Sequence, residues 1–524
     1  MNLFKKIKLK FKYLTKNPLD IVFFSGIIGA FSLSLSSIPS QLYFYYDQAR
    51  DGYEAYGILH GDFIKILGPG TDIPNLFSGV LWYYFVAFLQ LIGGNDPIAI
   101  GILLTIIIFG TLPMCWYLAY RLFNDRLIAY STVLIYSFSV LFQLSTRWIS
   151  NPVLGFIITP FLLYFLWEFL EKQRKKDVFI TALLFGILIQ SNLGNLIFLL
   201  LIPIYTLVFK VRVKSLNLPI FLLGLFLPLS SFLLAEIKFG GRGLISTISF
   251  FTKGQSSYVF SLQYPAEVIG KFSDLLTTSI LPVHKLIAFA VIFLLIISIA
   301  LSNKTRKDIG KNKKPLAFLL IWLLNIALFK LFMTAMSNSL YVVLPSVLAL
   351  TILFSYLLTR VFKNKWIITL FVLTIIGSQL LINYTWISYK KNPFSSQDKT
   401  TYQIEKEIID YTYKSSGYRP FSITTITVPL YINTTWDYLY TFYGNNKYRY
   451  APFWAGRDQK GYLGKLDSQK DKTEYRYLII EPQVPEKFIF DESLNEDNYS
   501  EIIEKKQIGQ FTVEKRKSKN YSNR

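Results

Sequence analysis

Three carboxylates and an arginine recur at helical spacing in the segment YFYYDQARDGYEAYGILHGDFIKILGPGTD: Asp47, Asp51 and Glu54, with Arg50 among them. On a helix Asp47 and Asp51 share one face, because residues four apart lie one turn above another. Two carboxylates so presented can deprotonate an acceptor hydroxyl, hold a divalent cation, or do both. The same spacing equally suits a solvated acidic helix that Arg50 neutralises. His60, one of only two histidines, lies in the same loop and is available to a metal site there.

Four further positions carry chemistry. Arg147 ends an apolar run in STRWISNP, ahead of Asn151 and Pro152. A guanidinium at that depth grips phosphate oxygens bidentately, or else snorkels to an interface. Gln190 and Asn192 fall in QSN, between two short apolar pieces at 177–191 and 194–209. Irregular backbone at membrane depth is tolerated mainly around a wet cavity, so both are candidate cavity-lining residues; the alternative is inter-helix hydrogen bonding. Glu236 closes another apolar run beside Lys238, and a carboxylate there is a site candidate or half of a local ion pair.

The elements that must position these groups are membrane helices. Of 524 residues 52% are hydrophobic and 17% aromatic, with mean hydropathy +0.37. The apolar residues come in runs of about twenty, enough to cross a hydrocarbon core of about 30 Å. Eleven runs are expected to cross: 19–39, 97–121, 127–144, 152–170, 177–191, 194–209, 216–236, 281–301, 315–333, 340–361 and 365–386. The formal charge of +22 clusters between them, at Lys5 to Lys12, Lys172 to Lys176 and Lys304 to Lys314. That is the pattern of cytoplasmic loops and excludes a nucleic-acid role. The segment 77–93 carries Trp82, Tyr83, Tyr84 and Phe85 and is predicted to lie at the headgroup level without crossing, since a full crossing would turn the later basic loops outward.

The predicted organisation is a cytoplasmic basic leader (1–18), a transmembrane domain (19–389) with outer loops at 40–96 and 237–280, and an extracytoplasmic domain (390–524). The first apolar run reads as a retained anchor. One cysteine, Cys115, excludes an intrachain disulfide and a cysteine-built metal site. The tail has α/β grammar: a helix over 398–416 stopped by Gly417, and strands over 422–432, 475–480 and 510–514.

DQARD, GPGT, SGVLWYYFVAF, RWISNP, QSN and LAEIKFG, in this order, together resemble the family-39-like membrane glycosyltransferases of the GT-C superfamily, relatives of protein O-mannosyltransferases and aminoarabinose transferases. The resemblance covers roughly residues 15–390. It implies a polytopic α-helical GT-C-like fold. It also implies inverting transfer of a hexosyl or pentosyl group from a polyprenyl-phosphate carrier to a glycan, lipid or protein acceptor on the extracytoplasmic face. Asp47 matches the family's catalytic acid of the first outer loop, with Asp51 beside it; Arg147 matches a basic residue near the donor. Arg50, Asn151, Gln190, Asn192, Glu236 and His60 complete the candidate substrate-binding set, and a divalent cation is the one cofactor considered. The family often has Asp-Glu where this chain has Asp47-Gln48. Rival readings are a polytopic transporter or lipid-linked sugar flippase, and a non-catalytic envelope assembly protein.

Overall fold

Each expected apolar run folds as a helix in the structure, a computed structural model that describes residues 18–71, 75–212, 217–253, 263–302, 308–332, 340–389, 394, 399–459, 463–468 and 473–519. Among the described residues seven helices are long and apolar enough to cross a membrane: Pro18–Gln41, Pro97–Phe123, Pro152–Lys172, Leu218–Lys238, Lys313–Leu331, Leu340–Val361 and Lys365–Ser388. Shorter helices fill the other four runs, at Arg126–Phe138, Lys175–Ser191, Leu193–Val208 and Lys285–Leu301. The protein is a multi-pass helical membrane protein. The basic leader lies outside the described residues.

Local signals set the helix ends. Asp96 accepts a hydrogen bond from the Ile98 amide (3.0 Å) with Pro97 at the first helical position, and Asp125 accepts from the Leu127 amide (2.9 Å). The run 127–144 differs from expectation: it breaks at Ser139, whose hydroxyl accepts from the Phe142 amide (3.3 Å) and starts a new short helix, Val140–Ser145. Hydropathy runs on through that break, so the sequence hides it. The aromatic segment forms a 13-residue helix, Leu81–Gly93. At 1.5 Å per residue it is about 20 Å long, short of the bilayer core.

The basic segments gather at one end of the bundle. There the buried Glu168 carboxylate meets Arg121 (3.0 Å), Lys172 and Arg174 (3.4 Å), Arg174 also pairs with Asp177 (2.5 Å), and Arg360 pairs with Asp125 (3.1 Å). The opposite end carries the loop after Pro18–Gln41, the acidic helix Tyr46–Leu59, the aromatic helix and the C-terminal part.

The C-terminal part is a five-stranded sheet in the order β2-β1-β3-β5-β4: β1 Ser422–Ile426, β2 Phe453–Trp454, β3 Tyr475–Ile480, β4 Ser500–Ile508 and β5 Phe511–Ser518. β1 is parallel to β2 and β3, while β5 runs antiparallel to β3 and β4. Helix Tyr402–Ser415 precedes the sheet, and Gly417 follows it at φ +66°, as its sequence predicts. β1 is shorter than the expected 422–432, because the chain turns away where the Val428 amide donates to Glu481 (2.8 Å). β5 is longer than expected and β4 was not anticipated.

This part docks on the membrane-facing helices through aromatic side chains. The Tyr402 amide donates to Leu42 O (3.0 Å), the Phe44 ring meets Tyr402 and Tyr438, and the Tyr438 hydroxyl donates to Asn95 O (2.9 Å). Tyr438 also presses on Gly52 of the acidic helix, where a Cβ would come within 2.7 Å of its ring. Only glycine permits that approach.

Candidate functional site

The acidic helix presents its charges in two layers. Asp47 has a half-exposed side chain (49%), Arg50 is largely covered, and Asp51 is buried (1%). Arg50 joins the layers: Nη1 lies 2.8 Å from Asp47, while Nε and Nη2 donate to Asp51 Oδ1 at 2.9 and 2.8 Å. The other Asp51 oxygen accepts from the Trp82 indole (2.7 Å). Burial pushes Asp51 up to about 6 against the pull of Arg50. Burial opposes the charge on Arg50, but Asp51 and Asp47 outweigh it and hold the guanidinium well above its usual range.

Asp47, Arg50 and Glu54 line a cleft of about 800 Å³ with Tyr46 and Tyr83. Gly68, Gly70 and Thr71 of the GPGT turn form another wall, and Val428 and Pro429 from the C-terminal part a third. Asp51 does not line it and acts from beneath, fixing Arg50. Glu54 is held by Lys65 (2.6 Å).

The short motifs, far apart in sequence, close into one hydrogen-bonded ring. Gln48 on the acidic helix donates to Ile149 O (3.0 Å), and the Tyr43 amide donates to Arg147 O (3.1 Å), which joins DQARD to RWISNP. Asn151 donates to Ser191 O (2.6 Å), which joins RWISNP to QSN. Gln190 takes hydrogen bonds from the Leu81 amide on its side chain (3.3 Å) and from the Gly79 amide on its carbonyl (2.9 Å), which joins QSN to SGVLW. Trp82 on Asp51 closes the ring, and the Ser78 amide on Pro69 O (2.7 Å) brings in GPGT. The departure from Asp-Glu acquires a reason here: an ionised Glu at 48 has no N–H to give Ile149 O.

Arg147 lies against this ring and is 1% exposed. Its Nε and Nη2 have no hydrogen-bond partner among the described residues. A buried guanidinium left this way is costly unless an anion completes it. It is therefore deeper than an interfacial snorkelling arginine would sit.

The remaining candidates fall into two groups. Gln190 is wholly buried and also donates to Pro228 O (2.5 Å) and Ser231 Oγ (2.9 Å), so its amide is spent on clamping helices. Asn192 caps the following turn at Gly194 N (2.8 Å). Glu236 caps the next helix at Leu244 N (3.2 Å) and makes no ion pair with Lys238, whose ammonium lies over Phe239. His60 does not join the carboxylates: it is exposed, stacked on Tyr56 (3.8 Å) with Nδ1 at Tyr56 O (2.8 Å). Nor does the donor set fit a divalent cation. Arg50 occupies the space between Asp47 and Asp51, and among the described residues no three His, Cys, Asp or Glu side chains gather as metal ligands.

Sequence reasoning missed Trp82 as the holder of Asp51, and Val428 and Pro429 as a wall of the cleft. A buried indole must place its N–H somewhere, which was the available signal for Trp82. Nothing local marks the other two.

No protein-family model and no curated protein matches the chain by sequence. The structure is similar to that of ArnT from Cupriavidus metallidurans bound to undecaprenyl phosphate, at TM-score 0.61 and 10% identity over 96% of this chain and 98% of that one. Against ArnT in the apo state the values are 0.60 and 10%, over 94% and 97%. An Archaeoglobus fulgidus oligosaccharyltransferase, in complex with Zn and sulfate, aligns at TM-score 0.43 and 14% identity over 76% of this chain and 60% of that one. Nearly end to end, helices and C-terminal sheet included, the chain has the GT-C-like fold of ArnT.

Proposed function

We propose that this chain is an inverting glycosyltransferase, moving a sugar from a polyprenyl-phosphate carrier to an acceptor hydroxyl. The observation that carries the reading is the buried Arg147 guanidinium, whose Nε and Nη2 have no hydrogen-bond partner among the described residues. Its backbone is bonded to the stretch that leads into the half-exposed Asp47. A lipid phosphate supplies the anion Arg147 lacks, and an alcohol supplies the proton Asp47 accepts. The ArnT likeness supports the reading, since that protein was crystallised with undecaprenyl phosphate.

In this mechanism the carrier enters from the bilayer and its phosphate oxygens take the Arg147 N–H groups. The acceptor oxygen attacks the anomeric carbon as Asp47 takes its proton. The bond from that carbon to the phosphate oxygen breaks, and its electron pair stays on the phosphate, where Arg147 stabilises the developing charge. One displacement inverts the anomeric centre. Arg50 orients Asp47, and Asp51 orients Arg50. The excess of Lys and Arg at the opposite end of the bundle supports a reading in which that end faces the cytoplasm and the acidic helix and C-terminal part face outward.

The test is transfer by purified protein in lipid, from radiolabelled polyprenyl-phosphate sugars to a crude envelope acceptor. Wild-type transfer that Asp47→Asn abolishes supports the reading. Full activity in folded Asp47→Asn removes Asp47 from the chemistry, and solute or lipid flux without transfer replaces the enzyme with a transporter.

A further inference from the structure

A second cleft, of about 490 Å³, opens on the other side of the acidic helix, between the turn at Asn95–Asp96 and the C-terminal part. Tyr53 and Tyr56, on the face of the helix turned away from Asp47, pack on Phe442, and Tyr53 also packs on Tyr438. Tyr438 and Phe442 in turn line this cleft. One helix thus serves as the partition between the two.

The lining combines aromatic faces with fixed polar groups. Tyr402, Tyr438, Phe442 and Tyr443 supply the rings, while Asn95 and Asn446 lie at the rim, with Asn446 Nδ2 donating to Phe442 O (2.7 Å) and its amide oxygen left for a hydroxyl donor. The Lys406 ammonium sits over the rings of Tyr443 (4.8 Å) and Tyr402 (5.4 Å) and has no carboxylate partner among the described residues. The other lining lysine, Lys447, is neutralised by Asp410 at 2.8 Å. Asp96, also in the lining, has one oxygen taken by the helix cap at Ile98.

Aromatic faces are electron-rich and attract the polarised C–H groups on the flat side of a sugar ring, while amides and an ammonium take its hydroxyls and carboxylates. The size lies in the range of sites that hold one small ligand. An apolar ligand would waste the amides and leave the ammonium without an anion. We infer that this cleft is a binding site for an acidic saccharide, with Lys406 as the residue that selects the acid. As an acceptor subsite it rests on the transferase reading; as a saccharide site it does not.

Binding of tetragalacturonate and of maltotetraose to the full chain in lipid nanodiscs tests it without any turnover. Tetragalacturonate is expected to bind at least ten times more tightly. Lys406→Gln should erase that preference, and Asn446→Trp, at an exposed rim position, should weaken both saccharides about tenfold by filling the cleft. Asp47→Asn should change neither. No binding of either saccharide, or binding that ignores both Lys406→Gln and Asn446→Trp, overturns the inference. A chain that binds at this cleft but transfers no sugar overturns only the transferase reading, and transfer without such binding overturns only this one.

Discussion

Glu168 and Arg147, buried at opposite ends of the helical bundle, are treated in opposite ways. At the basic end Glu168 meets three cations and Asp177 meets Arg174, while buried Asp20 accepts from the Tyr130 hydroxyl (2.6 Å). At the other end Arg147 is equally buried, yet its Nε and Nη2 have no hydrogen-bond partner among the described residues. A folded chain pairs buried charges because an isolated one costs several kcal/mol. The basic end obeys that rule and is structural. Arg147 breaks it, which is the observation that supports the proposed anion site.

If that contrast is right, substitutions at the two ends separate activity from stability. Asp47→Asn should show the largest effect, a loss of about 10³-fold in sugar transfer with the fold intact, since a positioned base is worth 10²- to 10⁴-fold. Arg147→Met should cost about 10²-fold in transfer, the scale of one lost charge stabiliser. It should also leave the thermal midpoint of the lipid-embedded protein unchanged or raised, because the side chain it removes is an uncompensated buried cation. A clear fall in that midpoint would mean that Arg147 is structural after all, and the contrast between the ends would collapse.

A smaller effect separates the two layers of the acidic helix. Asp51 is ionised above its pKa of about 6 and then fixes Arg50; as pH falls through 6 it takes a proton and loosens its hold. Transfer should therefore show an acid limb near pH 6. Asp51→Asn should lose the limb and run about tenfold below wild type at pH 7.5. Stability has the opposite sign. The folded pKa lies above the unfolded value of about 3.9, so the contribution of Asp51 is full below that value and is lost as pH rises through about 6. Buried Asp437, which accepts from Tyr53 of the same helix, is also raised to about 6. A limb that survives in Asp51→Asn and disappears in Asp437→Asn would move the titration from the cleft to the docking of the C-terminal part.

The sequence made the helices legible because bilayer-crossing runs are long and apolar, and it made the acidic helix legible because its charges repeat every three or four residues. Gly417 was legible for its freedom at positive φ. The division of labour between Asp47 and Asp51 was not, since their spacing is symmetrical and only the Trp82 indole, from a helix thirty residues on, breaks the symmetry. The ring formed by Gln48, Ile149, Asn151, Ser191, Gln190 and Leu81 joins positions up to about a hundred residues apart, and no local pattern encodes such pairing. Val428 and Pro429 reach the cleft for the same reason. β4 was missed because SEIIEKKQI is mostly polar and exposed, an edge strand without the alternation that marks a half-buried one.

The smallest expected effect on activity belongs to the basic end and completes the comparison. Glu168→Gln removes the negative charge that Arg121, Lys172 and Arg174 share, while keeping the shape of the side chain. Charge-assisted hydrogen bonds contribute up to about 3 kcal/mol, and a glutamine amide can still accept one of them, so roughly 2 kcal/mol of stability should be lost. Transfer should stay within about twofold of wild type at temperatures where the protein is folded, because none of these groups lines the cleft. Measured beside Arg147→Met, the pair forms a cross: one variant loses transfer and keeps its stability, the other loses stability and keeps transfer. A Glu168→Gln protein that melts normally but transfers poorly would mean that the basic end takes part in the reaction, and that paired charge in this chain is no sign of a purely structural role.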